Sequence, residues 1–236
     1  MSTDQPLPME PDDEASAPSV KHLIPPGVNE VDAELLRRAY ELGDQDEGQQ
    51  LYSQWAPTYD ATMVDGLGYV SPQRLVERLA AAVAWRDRPV LDVGCGTGLV
   101  GDELVANGFS AIDGLDLSAE MLEVARARGT YGQLLQADLT QPLPIADAAY
   151  EAVVCNGTFT SGHVDARCLA ELIRILVPGG VLAAAVHHAV WDTFGFAEAF
   201  ERLTAAGVLA PIEVVESAYY ATSPASDGRL CVFRRL

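Results

Sequence analysis

The chain has 236 residues, of which 49% are hydrophobic, and a formal net charge of −19. This length and composition suffice for one α/β domain with a sizeable core. The negative charge disfavours nucleic acid and anionic membrane as partners, because binding to phosphates depends on Lys and Arg. No stretch resembles a membrane span or a signal peptide, so a cytoplasmic location is expected, and the excess of Arg over Lys with abundant Ala suggests a bacterial source.

The N-terminal part is expected to contain a tail followed by helices. Residues 1–28 are rich in Pro, Ser, Asp and Glu, and they cannot bury enough apolar surface to offset the entropy of ordering, so they are predicted to be a flexible acidic tail. Asn29 is a suitable N-cap for a helix over about 30–42. Pro57 is expected to end one short helix and begin another, and a further helix is predicted over about 72–84.

Strands and helices alternate in the rest of the chain, which is typical of a parallel doubly wound sheet. Helices are predicted after Gly98, after Ser118 and over about 164–176, and Pro178-Gly-Gly is expected to be a turn into the fifth strand. After a helix near 193–206, two β-rich runs are expected to form an antiparallel hairpin. The predicted strands lie near 89–93, 111–115, 133–137, 151–155, 181–186, 212–220 and 229–235.

The most informative stretch is residues 90–101, Val-Leu-Asp-Val-Gly-Cys-Gly-Thr-Gly-Leu-Val-Gly. An apolar strand passes here into a loop whose glycines allow a ligand to contact the main chain, beside the free N–H groups of the next helix. This predicts a site for a nucleotide-like cofactor. The glycine pattern alone also fits the G-x-G-x-x-G fingerprint of dinucleotide-binding proteins, with Asp116 about 20 residues further on.

Later motifs distinguish these two interpretations. Residues 90–101 resemble motif I of class I S-adenosylmethionine (SAM) dependent methyltransferases, and residues 112–122, 136–139, 151–157 and 176–182 are similar to that family's later motifs in the same order. The resemblance covers roughly residues 50–236. It implies a doubly wound α/β fold with a mostly parallel seven-stranded sheet in the order 3-2-1-4-5-7-6, the last strand antiparallel, and SAM as cofactor. It also implies an N-terminal helical lid within residues 29–84 and a SAM-binding domain over 85–236.

The resemblance implies roles for residues at the carboxyl ends of the strands. Asp116 would accept hydrogen bonds from the ribose hydroxyls, and Asp138 would accept one from the adenine amino group unless it only forms a turn. Asp92 would either orient the loop or receive the cofactor amine through water. Tyr52, Trp55 and Tyr59 are lid candidates or anchors of an added helix. The predicted cofactor-binding residues are Tyr52, Tyr59, Asp92, Gly94, Cys95, Gly96, Gly98, Asp116, Leu117, Met121, Asp138, Leu139, Asn156 and Gly157.

A general base is needed only when the methyl acceptor must lose a proton. His187 follows the fifth strand on the side of the crevice, and it is the first candidate for a catalytic base. His163 is the second candidate, and Tyr52 or Tyr59 can position an acceptor hydroxyl. No metal site is predicted, since the four cysteines have no C-x-x-C spacing and are interpreted as reduced packing residues.

The sequence therefore predicts a methyltransferase acting on a small molecule, with the accepting O, N or C atom left open. Asn156-Gly-Thr-Phe stands where an Asn-Pro-Pro-Tyr motif would indicate methylation of exocyclic amino groups. One alternative is a SAM-binding protein that regulates or catalyses another reaction. A second is an NAD-dependent oxidoreductase. The oligomeric state is not predicted.

Overall fold

The centre of the fold is one sheet of seven strands: β1 (Val90–Val93), β2 (Ile112–Asp116), β3 (Leu134–Gln136), β4 (Tyr150–Phe159), β5 (Leu176–His187), β6 (Leu209–Ser217) and β7 (Gly228–Arg235). The computed structural model describes residues 29–42, 45–162 and 164–236. The strand order is β3-β2-β1-β4-β5-β7-β6, and β7 runs antiparallel to both of its neighbours. The predicted doubly wound α/β sheet is therefore confirmed in its order and in its antiparallel last strand.

In these ranges, eight α-helices accompany the sheet: α1 (Glu30–Tyr40), α2 (Gln45–Trp55), α3 (Ser71–Ala82), α4 (Leu99–Ala106), α5 (Ala119–Arg128), α6 (Leu169–Ile175), α7 (His188–Trp191) and α8 (Phe196–Ala205). Local sequence explains several of their ends. The Asn29 side chain accepts hydrogen bonds from the N–H groups of Val31 and Asp32 at 3.1 and 3.0 Å, which begins α1 as predicted. Ser118 accepts from the Met121 N–H at 3.2 Å and begins α5 in the same way.

The central strands β1, β4 and β5 are largely buried on both faces of the sheet. Along β4, Val153 and Cys155 pack into one hydrophobic cluster, whereas Ala152 and Val154 pack into the other. Successive strand residues point to opposite faces, so a strand covered on both sides requires an uninterrupted apolar run. This explains why the strands read as continuous apolar segments in the sequence.

Two local features differ from the sequence predictions. β5 already begins at Leu176, which pairs with Tyr150, and the next pair is Ala152 with Val181. The predicted turn at Pro178 is therefore a bulge inside the strand, because β4 continues to pair on both sides of it. After Pro57, the chain forms a π-helical turn over Ala61–Gly66 that was not predicted. The predicted tail, residues 1–28, lies outside the described residues.

Candidate active site

A cavity of about 860 Å³ lies at the carboxyl ends of β1, β2 and β4. We call it the loop cavity, because the glycine loop after β1 forms part of its wall. The structure brings ten of the predicted binding residues to this wall, including residues that are more than 100 positions apart in the chain. They are Tyr52, Tyr59, Gly94, Gly96, Asp116, Leu117, Met121, Leu139, Asn156 and Gly157.

The glycine loop is held against the end of β2. The N–H groups of Gly94 and Cys95 both donate to the Leu115 carbonyl, at 2.7 and 3.0 Å. Gly94 has a φ of +69°, and a Cβ atom at this position would lie 1.9 Å from the Thr158 Oγ1. Only glycine fits both this backbone conformation and this close approach.

The Asp116 carboxylate is fixed at the end of β2. Its Oδ2 accepts from the Gly96 N–H at 2.8 Å and its Oδ1 from the Ser118 N–H at 2.9 Å. Burial raises the pKa of Asp116, while backbone hydrogen bonds from residues that include Ser118 and Gly96 oppose this shift. Each carboxylate oxygen offers about two acceptor positions, so both can still accept from hydroxyl groups of a ligand.

Four predicted binding residues do not lie among those lining the loop cavity: Asp92, Cys95, Gly98 and Asp138. Asp92 is fully buried, and its Oδ2 accepts from the Tyr131 hydroxyl at 2.7 Å. Burial raises the pKa of Asp92 to about 7. The Asp92 Oδ1 has no hydrogen-bond partner among the described residues, and both alternatives for Asp92, orienting the loop and receiving the cofactor amine through water, stay predictions.

The remaining three residues outside the cavity lining are Cys95, Gly98 and Asp138. Cys95 is buried, and all four cysteines are free thiols. Gly98 is the N-cap residue of α4. The Asp138 Oδ1 accepts from the N–H and the hydroxyl of Thr140 at 2.8 and 2.7 Å, which is the turn-forming alternative. Leu139, not Asp138, reaches the wall of the cavity.

A second cavity of about 420 Å³ adjoins the first, and we call it the aromatic chamber. It shares Tyr52, Tyr59 and Gly157 with the loop cavity. Sequence reasoning named three of its rings, those of Tyr52, Trp55 and Tyr59. It missed the rings of Tyr40, Tyr69, Tyr219 and Tyr220, which come from segments far apart in the chain. Six of the rings around it belong to Tyr40, Trp55, Tyr59, Tyr69, Tyr219 and Tyr220.

The first histidine candidate, His187, is not among the described residues that line either cavity. His187 is buried, its Nδ1 accepts from the Ala189 N–H at 3.1 Å, and burial lowers the pKa of His187 to about 4. It packs behind the chamber wall, 5.0 Å from the ring centre of Tyr40. This geometry does not support the prediction that His187 is the catalytic base. His188 contacts Glu216 and Ser226 at the surface, and His163 lies outside the described residues.

Neither a metal site nor a membrane-spanning helix is found among the described residues. Within residues 29–42, 45–162 and 164–236, no group of three or more His, Cys, Asp or Glu side chains is placed to hold a metal ion. None of the described helices combines the length and apolar character needed to cross a bilayer.

Part of the chain is similar to known methyltransferases. Residues 91–184 match the family model of a methyltransferase domain. The chain is 37% identical over 150 residues to methyltransferase-like protein 27 of Homo sapiens, which covers 62% of this chain and 60% of that protein. It is 32% identical over 142 residues to demethylmenaquinone methyltransferase of Renibacterium salmoninarum, which covers 59% and 58%. The chain thus spans about 60% of the length of these curated relatives.

Two further similarities are to proteins named for other substrates or reactions. The 18S rRNA (guanine-N(7))-methyltransferase of Bos taurus is 35% identical over 108 residues, which covers 40% of this chain and 38% of that protein. The solved structure of the [4+2]-cyclase SpnF is similar with a TM-score of 0.62 and 18% identity, covering 82% of this chain and 97% of that one. The last similarity concerns the fold alone.

Proposed function

We propose that this chain, which carries a class I SAM-dependent methyltransferase domain, transfers the methyl group of SAM to a small molecule. The observation that supports this most directly is the composition of the loop cavity wall. The wall combines the motif glycines with the Asp116 carboxylate, and its described residues include no Lys, Arg or His. Such a wall suits a ligand with a sulfonium and an ammonium group and no phosphate.

The residues of the loop cavity fit the parts of SAM. Asp116 would hold the two ribose hydroxyls, because its carboxylate is fixed by the main chain and retains acceptor capacity. Leu117, Met121 and Leu139 offer apolar surfaces on which an adenine ring can pack. Gly94 and Gly96 would let the remainder of the ligand contact the main chain.

SAM supplies an activated methyl group, so the tasks left to the chain are alignment and exclusion of water. Tyr52 and Tyr59 lie over the junction of the two cavities and would exclude water there. Since His187 and His188 are not among the described residues that line the cavities, we propose that neither acts as a base and that the cavity walls hold the acceptor in line.

A small-molecule acceptor is supported by charge. A net charge of −19 opposes contact with RNA, and the chamber beside the loop cavity is lined by uncharged side chains. The similarity to a demethylmenaquinone methyltransferase agrees with this, whereas the similarity to an rRNA methyltransferase is the contrary observation. The cytoplasmic location and the bacterial source stay predictions.

Calorimetry with S-adenosylhomocysteine, SAM and NADH tests the cofactor. We expect both sulfur ligands to bind and NADH to give no heat of binding. The reverse result would restore the NAD-dependent alternative. Radiolabelled SAM, incubated in parallel with a small-molecule extract and with total RNA, tests the acceptor class.

The label should appear in the small-molecule fraction. Label in RNA would contradict the proposed acceptor class. Tight SAM binding without transfer of label to either fraction would favour the alternative of a SAM-binding protein with another reaction.

A further inference from the structure

The aromatic chamber has the features of a binding site for an uncharged molecule. No charged side chain is among the described residues that line it. Ions would lose their hydration there without gaining a partner of opposite charge. Flat apolar groups, in contrast, can stack against its tyrosine and tryptophan rings.

One hydroxyl of the chamber is oriented by a chain of hydrogen bonds. The Ser71 hydroxyl donates to the Asn156 Oδ1 at 2.7 Å, and the Asn156 Nδ2 donates to the Tyr69 hydroxyl oxygen at 2.8 Å. Ser71 and Asn156 are both buried, so this arrangement is protected from water. The Tyr69 oxygen therefore acts as an acceptor toward Asn156, and its own proton points away from that bond.

Among the described residues, Ser71 is the other hydrogen-bonding neighbour of the Tyr69 hydroxyl, and the Ser71 hydroxyl already donates its own proton to Asn156. A ligand atom beside Tyr69 would therefore compete with the Ser71 oxygen for the Tyr69 proton. Burial raises the pKa of Tyr69 to about 12, although the hydrogen bond from Asn156 opposes the shift. The phenol is thus a neutral donor near pH 7 and cannot act as a base at that pH.

The Tyr69 hydroxyl also lies at the junction of the two cavities. Gly157 lines both cavities, and a Cβ atom built on it would be 3.4 Å from the Tyr69 oxygen. A molecule in the chamber that accepts a hydrogen bond from Tyr69 would consequently have that atom next to the loop cavity.

We infer that Tyr69 binds the methyl acceptor by donating a hydrogen bond to one of its oxygen or nitrogen atoms, and that this acceptor is a flat, uncharged molecule held among the rings of the aromatic chamber. This inference rests on the proposed function, because it assigns the chamber to the acceptor of that reaction.

Three probes of nearly equal shape test the inference: 2-acetylnaphthalene, the 2-naphthoate anion and the 1-(2-naphthyl)ethylammonium cation. Their binding is measured by calorimetry with the full chain at saturating S-adenosylhomocysteine. We expect saturable binding of 2-acetylnaphthalene and at least tenfold weaker binding of both ions. Equal or tighter binding of either ion, or no binding of the ketone, would overturn the inference.

Tyr69→Phe removes only the donor, and we expect it to weaken binding of 2-acetylnaphthalene about fivefold, the usual effect of one neutral hydrogen bond. Tyr150→Phe is the matched control, because the Tyr150 hydroxyl donates to Asp113 at 3.0 Å, at the opposite end of β4. It should leave the affinity for the ketone unchanged. An unchanged affinity in Tyr69→Phe, or an equal loss in both variants, would contradict the role of Tyr69.

A second variant tests the chamber itself. Ala39 lies on its wall, so Ala39→Phe should fill space in the chamber and reduce ketone binding at least tenfold. Undiminished ketone binding in this variant would place the probe elsewhere. S-adenosylhomocysteine binding is measured on every variant and should be unchanged. If the unmodified chain does not bind S-adenosylhomocysteine, the proposed function is contradicted. If it binds S-adenosylhomocysteine but does not bind 2-acetylnaphthalene as expected, only the inference about the chamber is contradicted.

Discussion

The loop cavity and the aromatic chamber are neighbours, yet they are built in different ways. The loop cavity is formed by main chain and one fixed carboxylate at the ends of adjacent parallel strands. The chamber is formed by aromatic side chains from α1, from the segment around Tyr69 and from the turn before β7. A common cofactor is matched by a backbone scaffold, whereas a particular substrate is matched by side chains that can be exchanged without altering the sheet.

The two regions are joined through the N-terminal segment. The Thr97 hydroxyl of the glycine loop donates to Asp60 at 2.5 Å, and Arg128 forms ion pairs with both Asp60 and Asp102. Arg128 also donates to the Thr97 carbonyl. The chain that covers the chamber is thereby attached to the loop that forms the other cavity.

The largest expected effect concerns the backbone side of this comparison. Gly94→Ala combines a strained positive φ with a clash against Thr158. Together these should destabilise the observed conformation of the glycine loop by roughly 2–6 kcal/mol. We expect calorimetry to detect no binding of S-adenosylhomocysteine. Gly129→Ala is the control, because Gly129 also has a positive φ, +72°, but has open space around its Cβ position. If both variants bind the ligand alike, the close approach to Thr158 is unimportant.

The next effect is a pH dependence that comes from Asp92. Its pKa is raised in the folded state from 3.8 to about 7, so its contribution to stability is fully present below pH 3.8 and is lost as the pH rises through 7. The loss can reach ~4 kcal/mol, because one pKa unit corresponds to about 1.4 kcal/mol. Asp92→Asn cannot ionise and should be increasingly more stable than the unmodified chain between pH 4 and pH 8. Urea unfolding at several pH values measures this difference, and a constant difference would contradict it.

A smaller effect on ligand binding is expected from removing the Asp116 carboxylate. Asp116→Ala should weaken S-adenosylhomocysteine binding by ~1–3 kcal/mol, since ligand donors would lose a charged acceptor. Asp113→Ala provides the comparison on the same strand, because Asp113 accepts from Gln133 and Tyr150 and is not among the residues lining the cavity. Calorimetry that shows an unchanged dissociation constant in Asp116→Ala would remove this residue from the ribose site.

The smallest effect should come from His187, which lies behind the chamber. Asn can replace its hydrogen bond to the Ala189 N–H, so His187→Asn should lower the rate of methyl transfer less than tenfold. Loss of a general base would instead lower the rate by about 10²–10⁴-fold. The rate is measured with an acceptor identified from the labelled extract. A loss in the larger range would reinstate His187 as the base.

Much of the fold and the loop cavity could be predicted because their signals are local. An apolar strand followed by Gly94, Gly96 and Gly98 indicates a strand, a turn and a ligand contact within a few residues. Asp116 and Leu139 follow neighbouring strands, and parallel strands bring their carboxyl ends to one edge. The bulge at Pro178 and the π-helical turn at Ala61–Gly66 depend on pairing and packing with distant segments, so they could not be predicted.

The amino-acid sequence by itself determined the alternation of strands and helices, the glycine loop and the acidic end of β2, because each depends on residues adjacent in the chain. Only the tertiary structure decided that Asp92 is buried against Tyr131, that His187 packs behind Tyr40 and that Tyr69 contacts Asn156 across 87 positions. The physical reason is that contacts between distant segments depend on how the helices pack over the sheet. The periodicity of apolar residues predicts helices and strands, but it does not predict which aromatic side chains contact each other.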